Sequence, residues 1–394
     1  MNKDVIVIGG GIIGCAIAYS LQKRGKSVVL LEKHNLVAGA SGACDQGILL
    51  QSKAPNEHLL LGIRAMEMYK ELGRELGRDL EFTQKGYMLL MESELECRVM
   101  DGIIEKQRAL GLPVERISAD EALRRQPGIN REEIVGATWC PWDSEVNPYM
   151  TALAYADRAA ELGCDIRTRT PVTGLVMEGG AVKGVVTPQE TMYAETVIDA
   201  CGVWAPEIGR MAGLEIPIRP RRGQVYITEA VPLFMRCNLL NARYIVAKHH
   251  PELLAGDHSL KAQLGVGFCM TQSGKGNVMF GATREFAGMD NRCTLDGLRE
   301  VLAEATRLMP AVKELNVIRT MSGLRPYSPD SKPLIGFVDG VPGFFMAAGH
   351  EGDGVSLAPT TGKMVADLII DGTTDVPAAA SFNPNRFDLR PKAP

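Results

Sequence analysis

The first thirty or so residues constrain the fold most strongly. Residues 5–8 are a β-branched apolar run, residues 9–14 carry the pattern G-x-G-x-x-G, and the apolar positions of residues 12–23 recur at helical spacing. Residues 27–31 form a second apolar run that predicts a buried strand. A strand, a helix and a strand in this order place the two strands side by side and parallel, joined by a right-handed crossover. The sequence therefore predicts an α/β fold.

Each glycine of the G-x-G-x-x-G pattern has its own physical task. Gly9 permits a tight turn, Gly11 lets the backbone approach a pyrophosphate, and Gly14 permits close helix packing. The helix N-terminus adds N–H groups and a partial positive charge for phosphates. Glu32, at the end of the second strand, can accept hydrogen bonds from ribose hydroxyls and would repel a 2′-phosphate, which argues against NADP. The pattern predicts a dinucleotide site and leaves FAD, NAD and an empty glycine-rich turn as alternatives.

Capping signals predict further helices. A helix is predicted over residues 56–76 and another over residues 148–161, the second with Asn147 as its N-cap. Ser118 and Glu121 have the spacing of a capping box, which predicts a short helix.

The order of strand, glycine loop and helix returns late in the chain. Residues 344–348 are an apolar strand, residues 349–354 a glycine-rich loop, and residues 359–370 a predicted helix. Residues 216–228 and 265–284 instead contain strand-like segments separated by turn residues, as in an antiparallel sheet. We therefore predict a nucleotide-binding domain made from both ends of the chain, with the antiparallel region inserted as a second domain.

Composition excludes several classes of function. Lysine and arginine total 43 against 47 acidic residues, so the chain lacks the basic surplus that nucleic-acid binding requires. The nine cysteines are scattered and never spaced as C-x-x-C, which disfavours a disulfide framework or a zinc site and makes a reducing cytoplasm the expected location. No apolar run reaches the length of about 18 residues that a membrane span requires.

Five segments together identify a family resemblance. The segments are Lys33 with Gly39-Ala40-Ser41-Gly42, residues 197–204 (VIDACGVW), residues 222–224 (RGQ), residues 323–326 (GLRP) with Asp330, Pro333 and Gly336, and residues 349–355 (GHEGDGV). They resemble motifs of the D-amino acid oxidase and glycine oxidase family of flavoproteins. The resemblance extends from residue 4 to about residue 370 and implies FAD. It also implies non-covalent attachment, because Gly323 stands where monomeric sarcosine oxidases carry the cysteine that binds flavin.

The fold implied by this resemblance is a Rossmann-like FAD-binding domain with an inserted antiparallel-sheet α+β substrate domain. The expected boundaries are 1–85, 145–215 and 323–380 for the FAD-binding domain, 86–144 and 216–322 for the substrate domain, and 381–394 for a C-terminal surface tail.

The resemblance also implies which residues bind FAD. These are Gly9, Gly11, Ile13, Gly14, Glu32, Lys33, Ala40, Ser41, Gly42, Gln46, Gly47, Val172, Cys201, Gly202, Trp204, Gly323, Arg325, His350, Gly352, Asp353, Gly354 and Val355. One segment departs from the family pattern, because residues 43–47 read Ala-Cys-Asp-Gln-Gly where many relatives carry Asn followed by small residues.

Three residues are candidates for the reaction itself. Arg325 matches the arginine with which several amino acid oxidases hold the substrate carboxylate, and a planar guanidinium suits that contact; a domain-bridging salt bridge is the alternative. Tyr244 could add its hydroxyl to this site, although a tyrosine in a strand-like run is more often core packing. His350 is assigned a structural role ahead of acid–base catalysis. Glu351 and Asp353 either cap the following helix or contact the flavin.

Within the family, two segments narrow the expected activity. Residues 272–277 and 281–285 look most like catalytic subunits of hetero-oligomeric dehydrogenases that act on sarcosine, proline, hydroxyproline, opines or glycine. We expect oxidation of a C–N bond to an imine by hydride transfer to flavin N5, with electrons passed to a partner rather than to O2. One alternative is oxidation of a hydroxy acid or glycerol phosphate, which a single Arg325 disfavours because phosphate needs several basic groups. The other is a non-catalytic flavin-binding subunit.

A metal site is not expected. His249, His250 and His258 lie in residues 249–263, a predicted loop insertion, and adjacent histidines of a strand point to opposite faces. A solvated loop is therefore favoured over a ligand cluster.

Overall fold

Two mixed β-sheets and their covering helices make up the computed structural model, which describes residues 3–390. The strands are β1 (Lys3–Ile8), β2 (Val28–Leu31), β3 (Gly47–Ile48), β4 (Tyr87–Met91), β5 (Glu115–Ser118), β6 (Gly136–Cys140), β7 (Ser144–Glu145), β8 (Asp165–Arg167), β9 (Gly174–Glu178), β10 (Ala181–Val186), β11 (Thr191–Asp199), β12 (Arg219–Ala230), β13 (Asn238–Asn241), β14 (Cys269–Gln272), β15 (Asn277–Gly281), β16 (Val317–Tyr327), β17 (Leu334–Phe337) and β18 (Phe344–Ala348). The helices are α1 (Ile12–Lys23), α2 (Glu57–Leu76), α3 (Glu94–Ala109), α4 (Ala119–Arg125), α5 (Pro148–Glu161), α6 (Ala205–Met211), α7 (Ala242–His249), α8 (Leu260–Gln263), α9 (Leu295–Leu308) and α10 (Gly354–Ile370).

The first sheet has the order β17-β18-β11-β1-β2-β8 and joins both ends of the chain. Strands β18, β11, β1, β2 and β8 are parallel, so the predicted α/β fold is confirmed. Strand β1 is apolar along its length because both of its faces are covered. Val5 and Val7 pack with α1, α5 and α10, whereas Ile6 and Ile8 pack with β10 and α6.

The second sheet has the order β16-β12-β15-β14-β13-β4-β6-β5. It is antiparallel, as predicted for the middle of the chain, except where β13 runs parallel to β4. Strand β4 alternates between two cores: Met88 and Leu90 face α9, while Leu89 and Met91 face the side shared with the first sheet. The domain boundaries stay a prediction, and β16 runs across the one placed at residue 323.

The predicted caps of α4 and α5 are confirmed, and α2 has a cap that was not predicted. The Asn56 side chain accepts a hydrogen bond from the His58 N–H at the start of α2, and Asn147 accepts one from the Met150 N–H at the start of α5. Ser118 Oγ accepts from the Glu121 N–H at 3.2 Å and opens α4. Short polar side chains at these positions satisfy N–H groups that lack a helical partner.

Helix α10 begins at Gly354, five residues before the predicted start at Pro359. Proline lacks the N–H that would bond to the carbonyl four residues earlier, which suggested a helix start there. In the structure that carbonyl, of Val355, accepts a hydrogen bond from the Tyr69 hydroxyl at 2.6 Å. A tertiary contact thus replaces the missing helical bond, and the end of the predicted glycine loop is helical.

The region around Tyr244 is helical as well, and the prediction of a strand-like run there is wrong. Ala242, Ile245 and Val246 are buried along one side of α7, which is the spacing of a helix rather than a strand. The predicted loop over 249–263 contains α8, and His249 Nε2 lies 3.2 Å from the Ser52 carbonyl O, so this histidine is packed against the protein rather than solvated.

The described part of the expected surface tail packs against the fold. Phe382 and Leu389 are buried, and the Leu389 carbonyl accepts a hydrogen bond from the Glu215 N–H at 2.8 Å. The apolar side chains hold the segment down, although its composition is polar; residues 391–394 of the predicted tail lie outside the described residues. None of the described helices combines the length and apolar character needed to cross a membrane.

Candidate active site

A single elongated cavity runs between the two sheets. It starts where β1, β2 and β11 end, at the carboxyl edge where parallel sheets bind ligands, and reaches Gly223, Cys269 and Arg325 of the second sheet. Most residues predicted for the site line it: Gly9, Gly11, Ile13, Glu32, Lys33, Ala40, Ser41, Gly47, Val172, Cys201, Gly202, Trp204, Tyr244, Gly323, Arg325, His350, Gly352, Asp353, Gly354 and Val355.

Three predicted binding residues, Gly14, Gly42 and Gln46, lie behind the lining. A Cβ at Gly14 would stand 1.9 Å from the Gly9 carbonyl O, and one at Gly42 would stand 2.3 Å from the Val37 carbonyl O. The Gln46 carbonyl accepts a hydrogen bond from the Val146 N–H. These residues set the positions of the loops around the cavity by close backbone packing.

At one end of the cavity, backbone groups and short side chains form the wall. Gly9 has φ +113°, and a Cβ there would stand 2.5 Å from the Ala200 carbonyl O, so only glycine fits. The Glu32 carboxylate accepts hydrogen bonds from the N–H groups of Gly10 at 2.7 Å and His34 at 2.8 Å. This fixes Glu32 beside the glycine turn, on the lining of the cavity.

The space at this end fits a dinucleotide. Gly202, with φ +55°, lines the cavity, and a Cβ there would have no heavy atom within 4 Å. A Cβ at Gly11 would stand 3.2 Å from Ser41 Oγ, so side chains in this wall would fill the gap between the two loops. Lys33 supplies a positive charge, and its Nζ lies 3.9 Å from the centre of the Trp204 ring. Open backbone beside one cation suits a pyrophosphate.

The loop that precedes α10 forms the middle of the cavity. His350 Nε2 lies 3.1 Å from Thr361 Oγ1, and burial lowers the pKa of this histidine to about 3, so its imidazole is neutral. A Cβ at Gly323 would stand 2.9 Å from the Ala43 carbonyl O, which leaves no room for a cysteine side chain without a shift of the backbone.

Asp353 is the centre of a buried charge cluster that the sequence did not predict. Its carboxylate lies 2.7 Å from Lys53 Nζ, 3.1 Å from Lys248 Nζ and 3.5 Å from His58 Nε2. Burial disfavours the Asp353 carboxylate, but Lys248 and Lys53 outweigh it and hold its pKa well below the usual range. The side chain makes no hydrogen bond to α10, so the expectation of a helix cap is wrong for this residue.

At the other end, charged side chains form the wall. Arg325 on β16 stands directly opposite Arg221 on β12. Its guanidinium covers Gly223, where a Cβ would stand 2.3 Å from Nη1, and Nη1 donates a hydrogen bond to the Thr283 carbonyl at 3.0 Å. The Tyr244 ring lines the same end, and the Arg284 guanidinium lies 4.5 Å from its centre.

Glu351 brings further arginines to this end. Its Oε1 lies 3.3 Å from an Arg221 nitrogen and 3.6 Å from an Arg284 nitrogen, and its Oε2 accepts from the Gly352 N–H instead of capping α10. Burial opposes ionisation of Glu351, but the surrounding arginines, Arg284 first and then Arg325, lower its pKa to about 2.

Among the described residues Arg325 is the arginine that lines the cavity, and two arginines that the sequence did not predict, Arg221 and Arg284, lie behind the lining against Glu351. Arg221 and Arg284 are distant from Arg325 in sequence. Arg284 belongs to residues 281–285, a segment that the sequence analysis used only to narrow the expected activity, and Arg221 carries no motif of its own. One signal was available for Arg221: the alternation of β12 places it on the same face as Gly223, which flanks the site.

Comparisons with known proteins agree with this geometry. The family model described as FAD dependent oxidoreductase matches residues 4–368. The chain belongs to this family. This FAD dependent oxidoreductase is 30% identical to a glycine oxidase of Geobacillus kaustophilus, over 93% of this chain and 92% of that protein. It is 28% identical to a hydrogen cyanide synthase subunit of Pseudomonas aeruginosa, over 100% and 99% of the two chains.

A solved structure agrees over nearly the whole length. The L-proline dehydrogenase of P. horikoshii superimposes on this FAD dependent oxidoreductase with a TM-score of 0.88 and 31% identity, covering 98% of each chain. The resemblance to the amino acid oxidase family is thus confirmed, and FAD is the cofactor.

Proposed function

We propose that this enzyme oxidises the C–N bond of a small amino acid or N-substituted amino acid to an imine, which water then hydrolyses. The observation that supports this proposal is the environment of Arg325. Its guanidinium lines the cavity and donates to a neutral carbonyl, and within residues 3–390 no carboxylate lies at salt-bridge distance from it. A half-buried cation without an acidic partner suits a substrate carboxylate.

Two sets of residues would hold FAD. Gly9, Gly11 and Glu32 would hold its dinucleotide part, and the loop over residues 349–355 with Gly323 would border its ring. When bound, FAD supplies the acceptor for the two electrons that leave the substrate.

The side chains at the substrate end would orient the substrate and exclude water. Arg325 would fix the carboxylate, and the Tyr244 hydroxyl would add a hydrogen bond. The apolar side chains of Val225, Leu240 and Ala282 line the same space and keep it dry. His350 is neutral and engaged by Thr361, so we assign it to positioning the loop; the proton of the substrate amine would pass to water.

We further propose that electrons leave to a partner protein rather than to O2. Support comes from the resemblance to hetero-oligomeric dehydrogenases and from the names of two relatives, a proline dehydrogenase and a synthase subunit. Reoxidation of the reduced enzyme should be much faster with an artificial dye than with air-saturated buffer. A rate with O2 that equals the rate with dye would make the protein an oxidase.

Anaerobic reduction of the purified enzyme tests the reaction. Sarcosine, glycine, proline, hydroxyproline and an opine are each added, and bleaching of the flavin absorbance is followed. Arg325→Lys should lower the apparent second-order rate of reduction roughly 100-fold, because an ammonium cannot replace a planar bidentate fork, while the FAD content stays constant. Arg319→Lys, exposed on the same strand, is the matched control. Equal loss of FAD and activity would instead place Arg325 in the FAD-binding shell.

Oxidation of a hydroxy acid or glycerol phosphate is the second candidate, because three arginines converge at the substrate end. Glycolate, lactate and glycerol 3-phosphate therefore belong in the same reduction series. Reduction by any of these and by no amine would replace the amine proposal.

A further inference from the structure

Two adjacent arginines of β12 have very different partners. Arg222 lies 2.6 Å from the Glu285 carboxylate and 3.1 Å from the Asp290 carboxylate, so one guanidinium has two acidic partners. This is the usual arrangement for a buried cation, because an unpaired buried charge is costly. The positive charge of Arg222 is therefore fully compensated by neighbouring carboxylates.

On the opposite face of the strand, compensation is incomplete. Arg221 and Arg284 share one oxygen of Glu351, and Arg325 has no carboxylate partner within the described residues. Arg221 and Arg325 also stand directly opposite each other on neighbouring strands, where like charges destabilise a sheet. Three guanidinium groups and one carboxylate leave two positive charges uncompensated.

Several N–H groups of these arginines have no acceptor. Nε and Nη1 of Arg284 and Nε of Arg221 are buried without a hydrogen-bond partner, and the two side chains are only 4% and 14% exposed. Aromatic faces hold the groups in place: Arg284 lies against Tyr244, and Arg221 lies 5.0 Å from the centre of the Tyr327 ring. The cations are thus fixed in orientation before any anion arrives.

No other acid nearby supplies the missing charge. Asp353 is already occupied by Lys53 and Lys248. Asp45 lines the cavity and makes no salt bridge within the described residues; burial raises the pKa of its carboxyl, and the nearby charge of Arg325 only partly offsets that rise. Glu351 has φ +49°, an unfavourable conformation for a non-glycine residue, and lines the cavity between the arginines. Arg325 and Glu351 line the cavity, and Arg221 and Arg284 lie behind the lining within 3.6 Å of Glu351 Oε1. The field of the uncompensated charge therefore acts on this end of the cavity.

Resting on the proposed function, we infer that the substrate is a dicarboxylate: Arg325 holds the carboxylate of the amino acid, and a second carboxylate lies beside Glu351 in the field of Arg221 and Arg284. An amine with its second carboxylate on the nitrogen substituent, an N-(carboxyalkyl) amino acid, fits this description.

The reaction is balanced for this class. Iminodiacetate, the smallest member, would lose two electrons and one proton from carbon to the acceptor, and the amine proton to water, as its C–N single bond becomes a C=N bond. Addition of one water and cleavage of that bond would give glycine and glyoxylate, with the oxygen of water in the new aldehyde group.

Binding of substrate analogues tests the inference without turnover. Diglycolate, the ether analogue of iminodiacetate, carries two carboxylates and no amine, and methoxyacetate carries one carboxylate. Titrating the FAD-loaded enzyme and following the flavin spectrum should give a Kd for diglycolate about tenfold or more below that for methoxyacetate. Equal Kd values would overturn the inference.

Reduction experiments give the second measurement. Iminodiacetate should reduce the flavin at a Kd well below that of its monoamide, which has the same shape and one charge less. If sarcosine or the monoamide is as effective, the inference fails while amine oxidation stands. If no amine reduces the flavin, the proposed function fails, and the diglycolate titration still decides the charge preference. Reduction by glycerol 3-phosphate alone would assign the second anion as a phosphate and overturn the second carboxylate.

Variants assign the effect to the arginines. Arg284→Gln and Arg221→Gln should each raise the Kd of diglycolate about tenfold and leave that of methoxyacetate within about twofold. Arg219→Gln, exposed on the same strand, should change neither. Because Arg284 is buried and its variant could unfold, Arg221→Gln and the unmodified enzyme keep the inference testable. A parallel loss of both ligands in Arg221→Gln would contradict it.

Discussion

The two ends of the cavity are lined by different kinds of chemical group. At the dinucleotide end, glycine backbone and one carboxylate form the wall, and most of it comes from the first forty-odd residues. At the substrate end, Arg325 and Glu351 bring charged side chains to the wall, with Arg221 and Arg284 behind them, and these residues come from β12, β16 and the loops around residues 284 and 351. The difference teaches that a shared cofactor can be held by a local motif, whereas substrate preference depends on long-range assembly.

The largest effect is expected for a substitution at the dinucleotide end of the cavity. Gly14→Ala places a methyl group 1.9 Å from the Gly9 carbonyl, and because backbone meets backbone there, α1 must move away from β1. We expect a protein without bound FAD and with a strongly lowered thermal midpoint, measured by flavin absorbance and circular dichroism.

The matched control is Gly102→Ala in α3, where a Cβ meets nothing within 4 Å. It should keep its FAD and gain up to about 1 kcal/mol in helix stability. A Gly14→Ala protein with a full complement of FAD would show that this end of the cavity does not depend on close backbone packing.

The next largest effect is expected at the Asp353 charge cluster, which lies between the two ends of the cavity. Asp353→Asn leaves Lys53 and Lys248 buried without a carboxylate, and we expect the free energy of unfolding to fall by about 3–5 kcal/mol in a denaturant titration. Asp371→Asn removes the exposed partner of Arg24 and should cost under about 1 kcal/mol. Equal losses in the two variants would mean that the buried cluster has no special weight.

A substitution at Gly223 should affect the substrate end and leave the dinucleotide end unchanged. Gly223→Ala places a Cβ 2.3 Å from the Arg325 guanidinium, which must move, while the dinucleotide end is untouched. We expect flavin reduction by substrate to slow by about 10- to 100-fold, because small displacements of an orienting group are costly, with unchanged FAD content. Gly274→Ala, in an open turn, is the control. Loss of FAD in Gly223→Ala would show that the two ends are not independent.

The smallest effect concerns pH. Burial raises the pKa of Asp199, behind the dinucleotide end, to about 7 from the ordinary 3.8, although its carboxylate accepts a hydrogen bond from the Cys201 N–H. The folded protein binds this proton more tightly than the unfolded chain, so the stabilisation is complete at acid pH and is lost as the pH rises towards 7.

Between about pH 6 and 8 the loss of the Asp199 proton should lower the free energy of unfolding by roughly 1 kcal/mol, and Asp199→Asn should remove that share. Asp143 and Glu96, whose pKa values burial also raises to about 7, keep their own contributions in the variant. The Glu351 carboxylate should not titrate in this range, because its pKa is about 2. An identical pH profile for Asp199→Asn and the parent would refute the assignment.

Most of the fold was predictable from local signals. The β1-α1-β2 unit, the caps of α4 and α5, and the late β18 strand follow from spacing and capping residues near one another in the chain. Helix α10 was predicted five residues short because the carbonyl that Pro359 leaves free is satisfied by Tyr69, about 290 residues earlier. The pairing of β4 with β13 could not be predicted either, because pairing between distant strands leaves no local sequence pattern.

The candidate site divides in the same way. The sequence by itself determined the dinucleotide end and the family, because a tight glycine turn and a helix N-terminus are properties of the adjacent backbone. Only the tertiary structure decided the charge at the substrate end, where Arg221 and Arg284 share Glu351 and Arg325 stands opposite Arg221. The sequence does not show which groups surround a charged side chain in the fold. Burial and contacts between distant segments decide whether a guanidinium is neutralised, as in Arg222, or left for a ligand.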